Sequence, residues 1–405
     1  MRVWAKLAPA PARKEFPILD ALEKTAAAAR PTAIDRVRGL LASVDSAPLT
    51  LVGRGVWIYG AGGFGRTLAR ALDGAGLTTL GFIDRKAEGG ATVDGRPCVH
   101  PDHVTANLAQ GACYLHGLFN HYFSSREIVE WAARQPFDRL LFASDVNRAR
   151  GVEVSSYWLA PAAQTTSEMQ TIARALECFD EVASRDLFLD LLRYRLHNDP
   201  RIHPQVARED IYAPDFLPIR GEKTVFVDGG AYTGDSLEGL LAHGVGVKEW
   251  IAFEPDLRNL EGLRATAHRL SGQIGAFTVS PYGLSDRNGR VGFADNEGEA
   301  SHVVESPGPD FSGTTIEVAR LDDVIARSGP TYVKLDIEGA EQAALRGMEN
   351  MFRPGNVFAV SVYHRPADLW EIPLMLRDRL PGCRMRLRQH GHHGFDSVVY
   401  AWTDR

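Results

Sequence analysis

The stretch "VFVDGGAYTGDS", residues 225–236, decides the fold. Three consecutive apolar residues run into Asp228, then two glycines, and a third glycine stands at 234 before Asp235 and Ser236. An apolar run broken by glycines and followed by a helical pattern reads as strand, tight loop and helix N-terminus. The acid at the mouth sets the ligand class. Asp228 repels a diphosphate but suits a ligand bearing positive charge, and S-adenosylmethionine carries a sulfonium and an ammonium with no phosphate. Gly230 and Gly234 admit close backbone approach, with Ala231 and Tyr232 between them. The helix opening at Asp235–Ser236 faces the methionine carboxylate.

Downstream, "WIAFEPD" (250–256) is a strand ending in Glu254, a carboxylate placed to accept both ribose hydroxyls, and Pro255 stops the strand. "SPYGLSDRNGRVGFA" (280–294) carries a turn signal, and Tyr282, Gly283 and Leu284 just before it are candidate walls for an adenine. "TYVKLDIEGAE" (331–341) is an apolar strand that ends in Asp336, Glu338 and Glu341. Ligands in open α/β sheets bind off the carboxyl ends of strands, so Asp336 is expected to point at the cofactor. "VFAVSVYH" (357–364) ends in His364. Methyl transfer to a hydroxyl needs the acceptor held close and its proton accepted. His364 is the first candidate base and Asp336 the second, with Glu338 beside them. A divalent cation on Asp336, Glu338 and His364 is the alternative way to acidify an alcohol, but no metal is assigned. His390, His392 and His393 in "RQHGHHGFD" lack an acid or cysteine at ligand spacing and read as a solvated loop.

A second glycine loop lies upstream. "VWIYGAGGFGRTLAR" (56–70) satisfies G-x-G-x-x-G through Gly60, Gly62 and Gly65, follows a strand and opens a helix. Asp84 ends the next apolar run, where an acid can hold a ribose hydroxyl. Taken alone, this loop suggests a nicotinamide-dependent oxidoreductase, yet no tyrosine-x-x-x-lysine pair or comparable proton donor follows it. The other rival is a non-catalytic nucleotide-binding protein in which both loops are structural. Residues 51–160 alternate short apolar runs with helical patterns, which predicts a parallel sheet flanked by helices.

The remaining chain organises around these two units. Residues 1–50 read as a partly helical arm, with helical stretches at 18–30 and 33–44, and residues 161–220 as a helical connector. Residues 221–405 form the second α/β unit, closed by the strand-like "DSVVYAW" (396–402). The expected fold is therefore α/β, two Rossmann-like domains joined by helices. The chain has 405 residues, 44% hydrophobic and 24% charged, with a formal net charge of −6. That acidity and the lack of a basic stripe argue against a nucleic-acid partner, and "RMRLR" (384–388) reads as the polar face of a strand. The four cysteines, Cys98, Cys113, Cys178 and Cys383, form no CxxC pair, which fits a reducing compartment. No apolar run is long enough for a signal or a membrane span, so the expected location is cytoplasmic.

Five ordered motifs, "VFVDGGAYTGDS", "AFEPD", "YVKLDIEGAE", "VSVYHRPADLWEIP" and "DSVVYA", resemble the FkbM-family methyltransferases over residues 165–405. The resemblance implies a class I S-adenosylmethionine-dependent fold and methylation of oxygen on a sugar, glycan or natural-product acceptor. It implies cofactor contacts at Asp228, Gly230, Gly234 and Glu254. Gly229 departs from the pattern, in which a larger residue is common. The stretch "GAGGFGRTLARAL … GFIDR … DGRPCV" resembles the nucleotide-binding domain of bacterial sugar acyltransferases, which implies a nucleotide-linked sugar as the partner of the first loop.

Overall fold

The computed structural model describes residues 31–404, apart from 52, 150, 221–222, 295–301, 305–312 and 326–329. The helical stretch expected at 18–30 lies outside the described residues. The stretch at 33–44 begins as a helix, Ala33–Leu41, closed at its N-terminus by a Thr32–Asp35 capping box.

The first α/β unit is a six-stranded sheet. Its strands are β1 (Val56–Tyr59), β2 (Thr79–Ile83), β3 (Thr92–Val93), β4 (Arg96–Val99), β5 (Cys113–His116) and β6 (Arg139–Leu141), in the order β3-β4-β2-β1-β5-β6. All pairings are parallel except β3 with β4. β1 is buried along its whole length, as an interior strand covered on both faces must be. The order turns back at β1, so the crevice beyond its carboxyl end opens between β1 and β5.

The second unit contains β7 (Thr224–Gly229), β8 (Val247–Phe253), β9 (Ala276–Ser280), β10 (Gly283–Leu284), β11 (Gly289–Ala294), β12 (His302–Val304), β13 (Thr314–Ala319), β14 (Thr331–Leu335), β15 (Val357–Ser361), β16 (Arg384–Gln389) and β17 (Ser397–Trp402). Seven of them form one sheet, β16-β17-β15-β14-β7-β8-β9, in which only β17 runs antiparallel to its neighbours. The order turns back at β7, between β8 and β14. The other four form a small sheet, β10-β13-β11-β12.

Alternation along the strands divides the core in two. Val225, Val227, Val333 and Leu335 face the helices Met169–Leu176, Val182–His197 and Asp368–Arg379. Phe226, Trp250 and Tyr332 face the helices Asp235–Ala242 and Leu257–Leu270. Val37 and Leu41 of the N-terminal helix join the first of these layers, so that helix packs on the second unit's core and the first unit is inserted after it. A third core runs from Ile58 and Leu115 of the first sheet into Tyr194, Tyr363 and Phe395 of the second unit. The carboxyl ends of the two sheets therefore share a seam.

Candidate functional site

The loop after β7 is held in one shape by crowding. Gly230 has φ 73°, and a Cβ there would lie 1.9 Å from the Asp336 carbonyl oxygen. Gly234 has φ 97° and stands over Thr266, 2.7 Å from the position of a Cβ. Gly229 is extended and buried in β7, where a Cβ would come 2.9 Å from Leu335 Cδ2, so glycine at this position serves close packing, not flexibility. The amides of Gly230 and Ala231 both donate to the Phe253 carbonyl. Tyr232, at φ 46°, donates its amide to Glu254 Oε2 at 2.9 Å, and Asp256 donates to Glu254 Oε1 at 2.8 Å. Glu254 is 6% exposed, and burial raises its carboxyl above the ordinary value against these hydrogen bonds.

Beyond this loop lies a cavity of about 900 Å³. Gly230, Tyr232, Glu254 and Pro255 line one side, Gly283 and Leu284 another, and Asp336 and Glu338 the floor. Thr314–Val318 of β13 closes the roof, a wall with no signal in the sequence beyond a short β pattern. Of the residues expected to meet a cofactor, Ala231, Gly234, Asp235 and Ser236 shape the loop and helix start without lining the cavity. Asp228 is also off the wall. It is fully buried, 3.2 Å from Lys334 Nζ, and accepts Trp250 Nε1 at 3.2 Å. Its expected ligand-facing carboxyl is thus met inside the protein by Lys334, which also donates to the Gly230 carbonyl at 2.6 Å, tying the loop to β14.

The carboxyl ends of β14 and β15 bring Asp336, Glu338, Glu341 and His364 together. His364 Nδ1 meets Glu341 Oε1 at 2.8 Å; its Nε2 lies 3.6 Å from Asp336 Oδ1 and 3.6 Å from Glu338 Oε2. Burial alone would lower the imidazole pKa, but Glu341, Glu338 and Asp336 push it up to about 10. Nδ1 is committed to Glu341, Nε2 faces the two other carboxylates, and the side chain is 2% exposed, outside the lining of the cavity. Of the two expected bases, Asp336 is the one that lines the cavity. Burial raises the Asp336 pKa, yet Lys334 and His364 outweigh it and hold the carboxyl below its usual value. Tyr212 and Tyr363 donate to its two oxygens at 3.0 and 3.2 Å. Glu338 sits at φ 54° with a buried Oε2 that has no hydrogen-bond donor. Asp336, Glu341 and His364 are close enough to frame a cation, but Glu341 Oε1 already holds the His364 ring and the Ile337 amide.

The "GHHG" loop is not solvated, as the sequence suggested. His393 is 3% exposed and bridges Ser125 Oγ (3.0 Å) and Tyr194 Oη (3.3 Å), and Ser125 also meets His116 Nε2 at 2.8 Å. The loop is buried because it fills the seam between the two units. At the first glycine loop, Gly60 (φ 106°) and Gly65 fold against each other, Gly62 opens the helix Gly63–Gly74 with no side-chain cap, and Asp84 accepts the Ala61 amide at 2.9 Å and the Lys86 amide at 2.8 Å. Phe64 of this loop stacks on Phe119 at 4.8 Å.

Residues 228–392 match the family model of the Methyltransferase FkbM domain. The crystal structure of Methyltransferase FkbM from Methylobacillus flagellatus KT aligns with a TM-score of 0.66 at 21% identity, over 95% of this chain and 98% of that one, a likeness of fold that takes in both units. Precorrin-6y C5,15-methyltransferase from Geobacter metallireducens GS-15 aligns over 46% of this chain and 84% of its own, at 13% identity and a TM-score of 0.27. Fibrillarin from Aeropyrum pernix, solved with natively bound S-adenosyl-L-methionine, aligns over 47% and 71%, at 13% identity and a TM-score of 0.29; fits this partial carry no argument. No curated protein sequence matches the chain. The strand order and the glycine loop agree with the family match, so the C-terminal unit of this chain is similar to the Methyltransferase FkbM domain over residues 228–392.

Proposed function

We propose that the chain is an S-adenosylmethionine-dependent O-methyltransferase acting on a hydroxyl of a sugar, glycan or natural-product acceptor. The observation that carries this reading is the Asp336 carboxyl at the cavity floor, accepting two tyrosine hydroxyls with the His364 ring 3.6 Å behind it. S-adenosylmethionine fits the residues present: Gly230 brings bare backbone to the cavity wall, and Glu254 keeps lone pairs for hydroxyls beyond the two amides it accepts. When bound, it supplies a sulfonium methyl that passes to the acceptor oxygen as the C–S bond breaks and its electron pair returns to sulfur.

The chain's residues do the rest. Gly230, Glu254, Pro255, Gly283 and Leu284 hold the cofactor, and Asp336 accepts the hydrogen bond and then the proton of the attacking hydroxyl. His364, fixed by Glu341, keeps Asp336 ionised until the oxygen reacts. The first unit, through Gly60, Gly62, Gly65 and Asp84, is read as the holder of a nucleotide-linked form of the acceptor; its uncapped helix N-terminus at Gly62 supports this. Saturable binding of a uridine-diphosphate sugar, lost on Gly62→Asp, tests that part.

The main test is transfer of labelled methyl from S-adenosylmethionine to a panel of hydroxylated glycosides. Asp336→Asn should lower the rate about 100-fold or more, as loss of a proton acceptor does, with S-adenosylhomocysteine affinity kept. Product carrying the label on nitrogen or sulfur, or full activity in Asp336→Asn, refutes the reading.

A further inference from the structure

The charged side chains that line the cavity are matched inside the protein, with one exception. Of the cations, Arg258 pairs with Asp256 at 2.7 Å, and Arg346 and Arg287 meet Asp286 at 3.0 and 3.8 Å. Of the acids, Glu254 takes two amides, Glu317 is held by Arg290 at 3.0 Å, and Asp336 and Glu338 each lie 3.6 Å from the His364 ring. The exception is Arg365. It lines the same cavity, is exposed, and among the described residues its guanidinium has neither a carboxylate partner nor a hydrogen bond.

The arginine is nonetheless seated. It follows His364, whose ring Glu341 holds at 2.8 Å. Its amide donates to Asp368 Oδ2 at 2.9 Å, and its carbonyl accepts the Asp368 amide at 3.2 Å. The stem crosses Gly339, at φ 88°, where a Cβ would come 3.0 Å from Arg365 Nε, 3.4 Å from its Cγ and 3.7 Å from its Cδ. The loop that brings Glu338 to the cavity is thus bare where the arginine lies over it. A cation with its stem seated and its head unpaired is set to receive an anion, because little ordering remains to be done on binding. A guanidinium takes a carboxylate or a phosphate through two parallel N–H bonds.

The geometry points to an anionic acceptor: Arg365 is a specificity-determining residue of the methyltransferase site, and it binds a carboxylate or phosphate on the molecule whose hydroxyl meets Asp336. This rests on the O-methylation reading above. Asp336 and Glu338 repel that anion and Arg365 attracts it. Together they set the orientation of the acceptor, and with it the hydroxyl that reaches Asp336.

The test uses the full chain, Arg365→Gln and Arg365→Lys, with three probes: methyl glucoside, methyl glucuronide and a phosphorylated methyl glucoside. Kd for each probe on the S-adenosylhomocysteine complex is read by calorimetry, beside KM for methyl transfer. The unsubstituted chain should bind a charged glycoside about tenfold or more tighter than the neutral one, a margin that salt reduces. Arg365→Gln should erase that margin in both Kd and KM and keep S-adenosylhomocysteine affinity within about twofold. Arg365→Lys should fall between, since it keeps the charge and loses the fork. A margin for the carboxylate alone or the phosphate alone names the anion. Equal affinity for charged and neutral glycosides, no binding of either charged one, or an equal loss for all three in Arg365→Gln overturns the proposal and leaves methyl transfer to oxygen as read. A loss of S-adenosylhomocysteine affinity in step with KM also overturns it, because the arginine then holds the cofactor's own carboxylate. Anion binding that depends on Arg365, with the label going to nitrogen or sulfur, keeps the anion site and refutes the O-methylation reading alone.

Discussion

Replacing Lys334 by methionine should cost more stability than any surface change in the chain, and the cost should depend on pH. Lys334 and Asp228 are 2% and 0% exposed and lie 3.2 Å apart, with Tyr212 packed under the ammonium at 5.2 Å. Methionine keeps the volume but removes the charge, leaving Asp228 with Trp250 as its donor and the Gly230 carbonyl without Lys334. Breaking a buried pair in this way costs about 3–5 kcal/mol. Burial already raises the Asp228 pKa against the pull of Lys334 and Trp250, and without Lys334 it rises further. A folded carboxylate with a raised pKa binds more protons than its unfolded counterpart. Stability therefore falls as pH rises from about 3.9 to the folded pKa, by about 1.4 kcal/mol per unit. Lys334→Met should thus lie closest to the parent at acid pH and furthest from it at alkaline pH. Urea unfolding followed by tryptophan fluorescence reads this directly, since Trp250 touches Asp228. Adding Asp228→Asn should recover most of the loss, because an unpaired charge, not a missing contact, is the cause. A loss under about 1 kcal/mol at neutral pH, or one that the second substitution leaves unchanged, would refute the reasoning.

Gly230→Ala should fold with an undamaged first unit but lose about tenfold or more in S-adenosylhomocysteine affinity by calorimetry, since its Cβ meets the Asp336 carbonyl and its φ disfavours a side chain by about 1–2 kcal/mol. The seam histidines are held neutral by burial, with pKa values of about 3 for His116, about 2 for His393 and about 4 for His203. Their folded values lie below the unfolded value of about 6.5, so the stability they contribute is whole above that pH and falls as pH drops below it. His393→Gln should flatten the acid limb of a Tm-against-pH profile. His364 has the opposite sign: at about 10 its stabilisation is full below about 6.5 and is lost as pH rises through the folded value. Glu341→Gln should lower that pKa by at least a unit in an NMR ring titration, and an unshifted ring would show that Glu341 does not hold the charge.

What the sequence disclosed was local. The glycine loop, Glu254 at a strand end and Asp336 after "YVKL" are each set by a few neighbouring residues, and the cavity is built on them. What it concealed depends on partners far along the chain. Asp228 reads as ligand-facing until Lys334 is seen beneath it, and His364 reads as a free base until Glu341 and Glu338 close round it. "GHHG" is polar enough to pass for a surface loop, yet His393 is buried because the first unit supplies Ser125.

The two glycine loops share one further detail. In each unit the acid ending the neighbouring strand grips the loop's own backbone: Asp84 takes the Ala61 amide, and Glu254 takes the Tyr232 amide. Each acid also takes the amide two residues after itself, at Lys86 and at Asp256. The acid thus works as a clamp whose grip does not depend on what the crevice holds. Glycines and acid at this spacing are thus the imprint of a loop shape, and the identity of the guest is written in the residues that stand over it.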